Sequence, residues 1–129
     1  MSENGQALLQ QYPEKTAQVA LSVFFNIMNA WHVRPNEQMV LLGMPAETTF
    51  YEWKKGQASN LSVDTLERIS YIIRIYKALG ILFPSREQAD AWPQRPNKNF
   101  NDEPALKFML KGSVIHLSGM CRYLDLQLG

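Results

Sequence analysis

Between Ser62 and Phe83 the sequence carries two apolar stripes on one helical period, and a helix with two apolar faces needs two partners. Leu66, Ile69, Ile73 and Tyr76 make one stripe, and Ile72, Ile75, Leu79 and Leu82 make the other. Glu67, Arg68, Tyr71, Arg74 and Ala78 form a narrower polar strip. Ser62 is placed to cap the N-terminus, and Asp64 and Glu67 lie in the first two turns, where acidic groups oppose the positive end of the helix dipole. The economical arrangement is a central helix with the N-terminal helices on one side and, on the other, either the C-terminal segment or a second copy of the chain. A helix buried within a single core satisfies the same pattern.

Upstream, residues 16 to 31 place Val19, Ala20, Val23, Phe24, Ile27, Met28 and Trp31 at the i, i+3, i+4 spacing of one helical face, with Thr16 available as a cap. Arg34-Pro35-Asn36 interrupts, because proline restricts the residue before it, and Asn36 suits the N-cap of a short helix over Glu37 to Leu42. Gly43 ends that helix. After Met44-Pro45 a third helix is expected from about Ala46 to Lys55, with Phe50 and Trp53 inward and Gly56 as its stop. Two short helices around a glycine turn have the spacing of a helix-turn-helix, whose second helix lies in the DNA major groove. Its outward set is Glu47, Thr48, Tyr51, Lys54 and Lys55. Thr48 and Tyr51 suit phosphates or base edges, and the two lysines suit backbone contacts, whereas Glu47 and Glu52 oppose them. An ordinary three-helix packing unit has the same spacing.

Downstream, Pro84 stops the central helix and Ser85 caps a short one through Trp92. Pro93 and Pro96 then force an extended passage to Phe100. Asp102 is placed to cap a helix with Pro104 in its first turn and Leu106, Met109 and Leu110 inward. Gly112 ends it, and Ser113 caps a final helix with Val114, Leu117, Cys121, Leu124 and Leu128 on one face. Helices this short borrow their stability from packing. The pattern is all-α, read as an N-terminal unit over residues 1–60 and a central helix with a C-terminal module over 61–129.

The chain of 129 residues is 46% hydrophobic, enough for one compact unit or two small ones sharing a core. Through residue 60 it has four cations against five anions, and beyond it nine against seven. Nucleic-acid binding would therefore rest on local placement and dimerisation, not on a strong overall field. The single Cys121 excludes an internal disulfide and points to a reducing, cytoplasmic compartment. The start Met1-Ser2-Glu3-Asn4-Gly5 lacks a basic segment followed by an apolar one, and no apolar run approaches the roughly 20 residues of a membrane span. Neither secretion nor membrane insertion is expected.

Catalytic and metal motifs are missing from the sequence. His32 and His116 are its only histidines, with no Cys-x-x-Cys, His-Glu-x-x-His, phosphate loop or paired carboxylates. His116 and Cys121 diverge by about 140° on a helix, so a nucleophile and base give way to a buried thiol and a surface histidine. The expectation is a protein that is not an enzyme and binds no cofactor or metal.

From Val19 to Gly129 the chain resembles antitoxins of the Xre/MbcA/ParS type. The resemblance is carried by Gly43-Met44-Pro45, Tyr51-x-Trp53-Lys54-x-Gly56, the run from Leu61 to Tyr71, and Tyr76-Lys77-Ala78-Leu79-x-Ile81-Leu82-Phe83-Pro84. It continues through Ala89-Asp90-Ala91-Trp92, Pro96-Asn97, Phe100, Pro104-Ala105-Leu106, Met109-Leu110-x-Gly112 and Arg122-Tyr123-Leu124-Asp125.

The resemblance implies an Xre-like helix-turn-helix joined by the central helix to a toxin-binding module, in a type II toxin-antitoxin system. Family members block a RES-domain toxin that depletes NAD and repress their own operon, as a homodimer within a larger toxin-antitoxin complex. The toxin-facing residues it implies are Arg122, Tyr123, Asp125, Gln127, Leu128 and Gly129, with Asn97 and Phe100 shaping the module. Operator contacts fall to Thr48, Tyr51, Lys54 and Lys55. Arg122 is suited to a bidentate pair with an acidic group, and Tyr123 to an amphipathic anchor. Only four residues follow Asp125, so the expected block is occlusion of the toxin's active site. Two other readings fit the residues: a helix-turn-helix regulator without a cognate toxin, and a helical adaptor that binds only protein.

Overall fold

The computed structural model describes residues 13–58 and 60–129; residues 1–12 of the expected N-terminal unit, and Ser59, lie outside the described residues. Among the described residues seven α-helices follow in order: α1 Pro13–Trp31, α2 Pro35–Leu41, α3 Glu47–Lys54, α4 Val63–Leu82, α5 Arg86–Ala91, α6 Ala105–Met109 and α7 Val114–Leu128. Short 3-10 turns at Trp92–Gln94 and Lys98–Phe100, and a two-residue antiparallel ladder, β1 Pro96–Asn97 with β2 Glu103–Pro104, build the linker between α5 and α6. The protein is all-α with an N-terminal helix-turn-helix.

Helix α4 is the axis. It packs most extensively against α7 and next against α1, so each of its apolar faces is covered within the chain. Leu66, Ile69, Ile72, Ile75 and Leu79 are buried. Burying one such side chain stabilises the fold by roughly 1.5–3 kcal/mol. Two members of the expected polar strip differ. Ala78 is buried, and the Arg68 side chain retains only 11% of its exposure. Ser62 caps α4, its hydroxyl accepting from the Thr65 amide at 3.1 Å.

The N-terminal helices close on Phe24, Trp31 and Phe50, all fully buried. The inward face of α1 holds the expected Phe24, Ile27, Met28 and Trp31 and extends to Ala17 and Leu21, while Val19 is 56% exposed. Thr16 does not cap α1, because the helix already runs from Pro13. Arg34, not Asn36, precedes the first turn of α2; its backbone N–H donates to Glu37 Oε1 at 3.2 Å and Pro35 occupies the first helical position, where its missing donor costs nothing. Gln38 is buried with its amide donating to the Val33 carbonyl at 2.8 Å. The Trp31 and His32 carbonyls, at and just past the end of α1, are both met at 3.2 Å by the Gln94 side-chain amide.

The linker is more ordered than an extended passage. Pro93 sits inside a 3-10 turn, and the Asp102 N–H donates to the Asn97 carbonyl at 3.0 Å. Asn101 and Asp102 are both left-handed, with φ of 57° and 64°, so Asp102 turns the chain instead of capping α6, which begins after Pro104. Ser113 caps α7 through the Ile115 amide at 3.3 Å. Leu117, Cys121 and Leu124 are buried, but Leu128 lies beyond the cover of α4 and is exposed. Among the described residues no helix is long and apolar enough to cross a membrane.

Candidate nucleic-acid interface and C-terminal surface

Helix α3 is held by one buried residue, Phe50, whose ring packs edge-on against Phe25 of α1 at 5.8 Å and Tyr51 at 5.1 Å. With that side fixed, Thr48, Tyr51, Glu52 and Lys55 point outward, at about 100° per residue from the buried edge, and all four are exposed. Lys54 stands on the shoulder. Its ammonium lies 5.5 Å from the Phe50 ring and 5.7 Å from the Phe25 ring, a cation–π arrangement that draws it toward α1 and off the centre of the outward face. Glu47 and Glu52 are exposed alongside, so α3 presents mixed charge.

The turn before α3 is shaped by two left-handed residues, Gly43 at φ 92° and Met44 at φ 63°. A methyl group on Gly43 would come within 3.0 Å of Arg68 Nε and 3.2 Å of Asp64 Oδ2, so the turn rests directly on that ion pair. Only glycine meets both demands.

In the C-terminal module, Tyr123 of α7 enters an aromatic cluster assembled from separate segments. It stacks on Trp92 at 6.5 Å and meets Phe100 at 5.1 Å, and Phe100 in turn meets Phe108 at 6.0 Å. Asn99 Nδ2 donates to the Tyr123 hydroxyl at 2.7 Å, and Asn97 Oδ1 accepts from the Asn99 amide at 2.9 Å. Thus Asn97, Phe100 and Tyr123 come together, as parts of the module's framework. Arg122, Asp125, Gln127, Leu128 and Gly129 are exposed along α7 and its end. Asp125 pairs with Arg74 of α4 at 3.1 Å, both half-exposed, an interaction worth at most about 1 kcal/mol. Arg122 makes no hydrogen bond or ion pair among the described residues.

His116 and Cys121 serve different neighbours. The His116 ring is half-buried edge-on against Phe108 at 5.2 Å, where a surface histidine was expected. The Cys121 thiol is buried and donates to the Tyr71 carbonyl at 3.4 Å. Burial pushes the thiol up to about 11, with Arg74 opposing the shift and Asp125 adding to it. Among the described residues no group of His, Cys, Asp and Glu is arranged to hold a metal ion.

Two contributors escape sequence reasoning. Asn99 sits among ordinary turn residues, and its role depends on a partner 24 positions away. Arg68 falls in the polar strip by periodicity, yet its Nη1 donates to the Gly112 carbonyl at 3.1 Å. The four aromatics after residue 90 that form the cluster were the one available signal, through their number and not their spacing.

Residues 15–74 match the family model of the antitoxin Xre-like helix-turn-helix domain, a span that runs past residue 60 into α4. The uncharacterized protein y4oB of Sinorhizobium fredii (strain NBRC 101917 / NGR234) is 44% identical over 109 residues, which are 84% of this chain and 84% of that protein. No solved structure matches.

Proposed function

The chain belongs to one family with protein y4oB, and its residues 15–74 match the antitoxin Xre-like helix-turn-helix domain; we propose that it is the antitoxin of a type II system. In this reading it binds and neutralises a RES-domain, NAD-depleting toxin by occluding the active site, and represses its own operon. It acts in the cytoplasm as a homodimer within a larger toxin-antitoxin complex, without cofactor and without catalysis of its own.

The observation that carries the reading is the division of exposed surface. Thr48, Tyr51 and Lys55 face outward on the second helix of the helix-turn-helix, while Arg122, Asp125 and the chain end face outward on α7. Between them, α4 buries both of its apolar sides. A scaffold with two separately exposed helix faces suits two ligands, one polyanionic and one protein. Dimerisation supports operator binding, because two weak half-site contacts on one duplex act as a single stronger one.

Co-expression tests this directly. The product of the adjacent reading frame, toxic when expressed alone, should become harmless and co-purify when this chain is supplied. Undiminished toxicity with no complex would refute the antitoxin role and leave a helix-turn-helix regulator.

A further inference from the structure

We infer that Met44 is a specificity-determining residue of the DNA surface, reading the 5-methyl group of thymine in the major groove. The assignment rests on the operator-binding half of the reading above, and adds to it a base and the side chain that recognises it.

Met44 holds a strained backbone and gains no packing from it. Its φ of 63° is left-handed, where glycine is favoured over any side chain, and Pro45 steers the residue before it toward extended backbone instead. Two bonds of the turn impose the conformation: the Gly43 N–H donates to the Val40 carbonyl at 3.1 Å, and the Met44 N–H to the Met39 carbonyl at 2.8 Å. Both use backbone atoms alone, so glycine at position 44 would close the same turn with less strain. Turns of this type commonly press the residue after the glycine onto the preceding helix, yet Met44 is 64% exposed. An apolar side chain held out to solvent by a strained turn marks a contact made outside the chain.

Its place in the fold selects the partner. Met44 stands three positions before Glu47, where α3 begins, and a recognition helix meets base edges with its N-terminal end. Ala46, Thr48 and Tyr51 are exposed on the same lead-in and helix. No arginine lies between Arg34 and Arg68 to make a bidentate contact with guanine, and Glu47 and Glu52 oppose phosphates. Apolar contact is what remains to tell one base from another here. The apolar feature a base presents in the major groove is the thymine methyl, and a flexible thioether side chain fits against it and excludes water.

Binding of the full chain to the DNA upstream of its own gene tests this, with the DNA made from thymidine or from deoxyuridine, which removes the methyl and keeps the pairing. Deoxyuridine should weaken wild-type binding by about fourfold for each methyl contacted, the worth of one buried carbon. Met44→Gly should bind thymidine DNA more weakly by about that factor, lose correspondingly less on deoxyuridine, and keep the salt slope, since no phosphate contact goes. Its urea midpoint should be unchanged or higher, because glycine relieves the left-handed strain. An equal deoxyuridine penalty in both proteins, or none in a wild type that binds, would overturn the inference; any change of groove shape falls on both alike. A salt slope lowered by about 1 would place a phosphate contact at Met44 and overturn it too. So would a clear fall in the urea midpoint, which would give the side chain a role in the fold. Met44→Asn, which also tolerates a left-handed φ, repeats the comparison without the added freedom of glycine and must give the same result. Failure of the wild type to bind this DNA removes the operator-binding reading itself, and the role of Met44 falls with it.

Discussion

Asn99 Nδ2 donates to the Tyr123 hydroxyl at 2.7 Å, tying the linker to the last helix. Because Tyr123 also stacks on Trp92 and meets Phe100, it is part of the module's framework as well as a candidate contact. Tyr123→Phe keeps the ring and loses the bond, which should cost about 0.5–1.5 kcal/mol in urea unfolding. Tyr123→Ala should cost more than Tyr123→Phe and loosen Trp92, seen as a change in its fluorescence. Equal costs for the two would show that the ring contributes nothing.

Arg122 is the cleaner probe of toxin contact. It is exposed and has no partner among the described residues, so Arg122→Ala should leave stability within about 0.5 kcal/mol while weakening toxin inhibition. Full protection by this variant would take Arg122 out of the interface.

For the operator, Lys55 and Lys54 should separate. Lys55→Ala should lower the salt slope of operator binding by about 1, one phosphate contact, with no change in stability. Lys54→Ala should in addition lose about 0.5–1 kcal/mol of stability, because its ammonium lies over Phe25 and Phe50. Salt titrations of both variants, with matched unfolding curves, check the pair. An unchanged slope for Lys55→Ala would remove that residue from the DNA surface.

The buried thiol gives a pH prediction. Cys121 holds its proton in the folded chain up to about 11 against an ordinary 9.0, so the folded state binds more protons than the unfolded one in that window. Its contribution to stability is complete below about pH 9 and is lost as pH rises toward 11, on the order of 2 kcal/mol in all. Cys121→Ala should flatten the fall of unfolding free energy over that range. A fall of the same steepness in the variant would assign it to other groups.

Much of this fold is legible in the chain, and what is not has a physical reason. Ser62 and Pro84 bracket α4 because a capping hydroxyl and a missing amide act locally, and its two-sided apolar pattern carries over into partners on both sides. Cap positions read less well. Asn36 and Asp102 have the right side chains, but Pro35 starts α2 earlier, and Asp102 is spent on a left-handed turn. Val19 fits a helical stripe, yet the face is set by how α1 meets α4, and it ends outside. The aromatic cluster around Tyr123 and the Arg68 bond to Gly112, 44 positions apart, join distant segments, which periodicity along one segment does not reveal. Of the candidate site, the exposed set on α3 follows from the periodicity of that helix, whereas the set on α7 comes from the family resemblance, and Leu128, inward by periodicity, is exposed. The shoulder position of Lys54 follows from neither, because it depends on rings from two helices.

Neutralisation is read most simply from NAD consumption by the purified product of the adjacent reading frame, measured alone and then with increasing amounts of this chain. The activity should fall to zero at a fixed molar ratio. Undiminished NAD consumption at saturating antitoxin, or no NAD activity to inhibit, would contradict neutralisation.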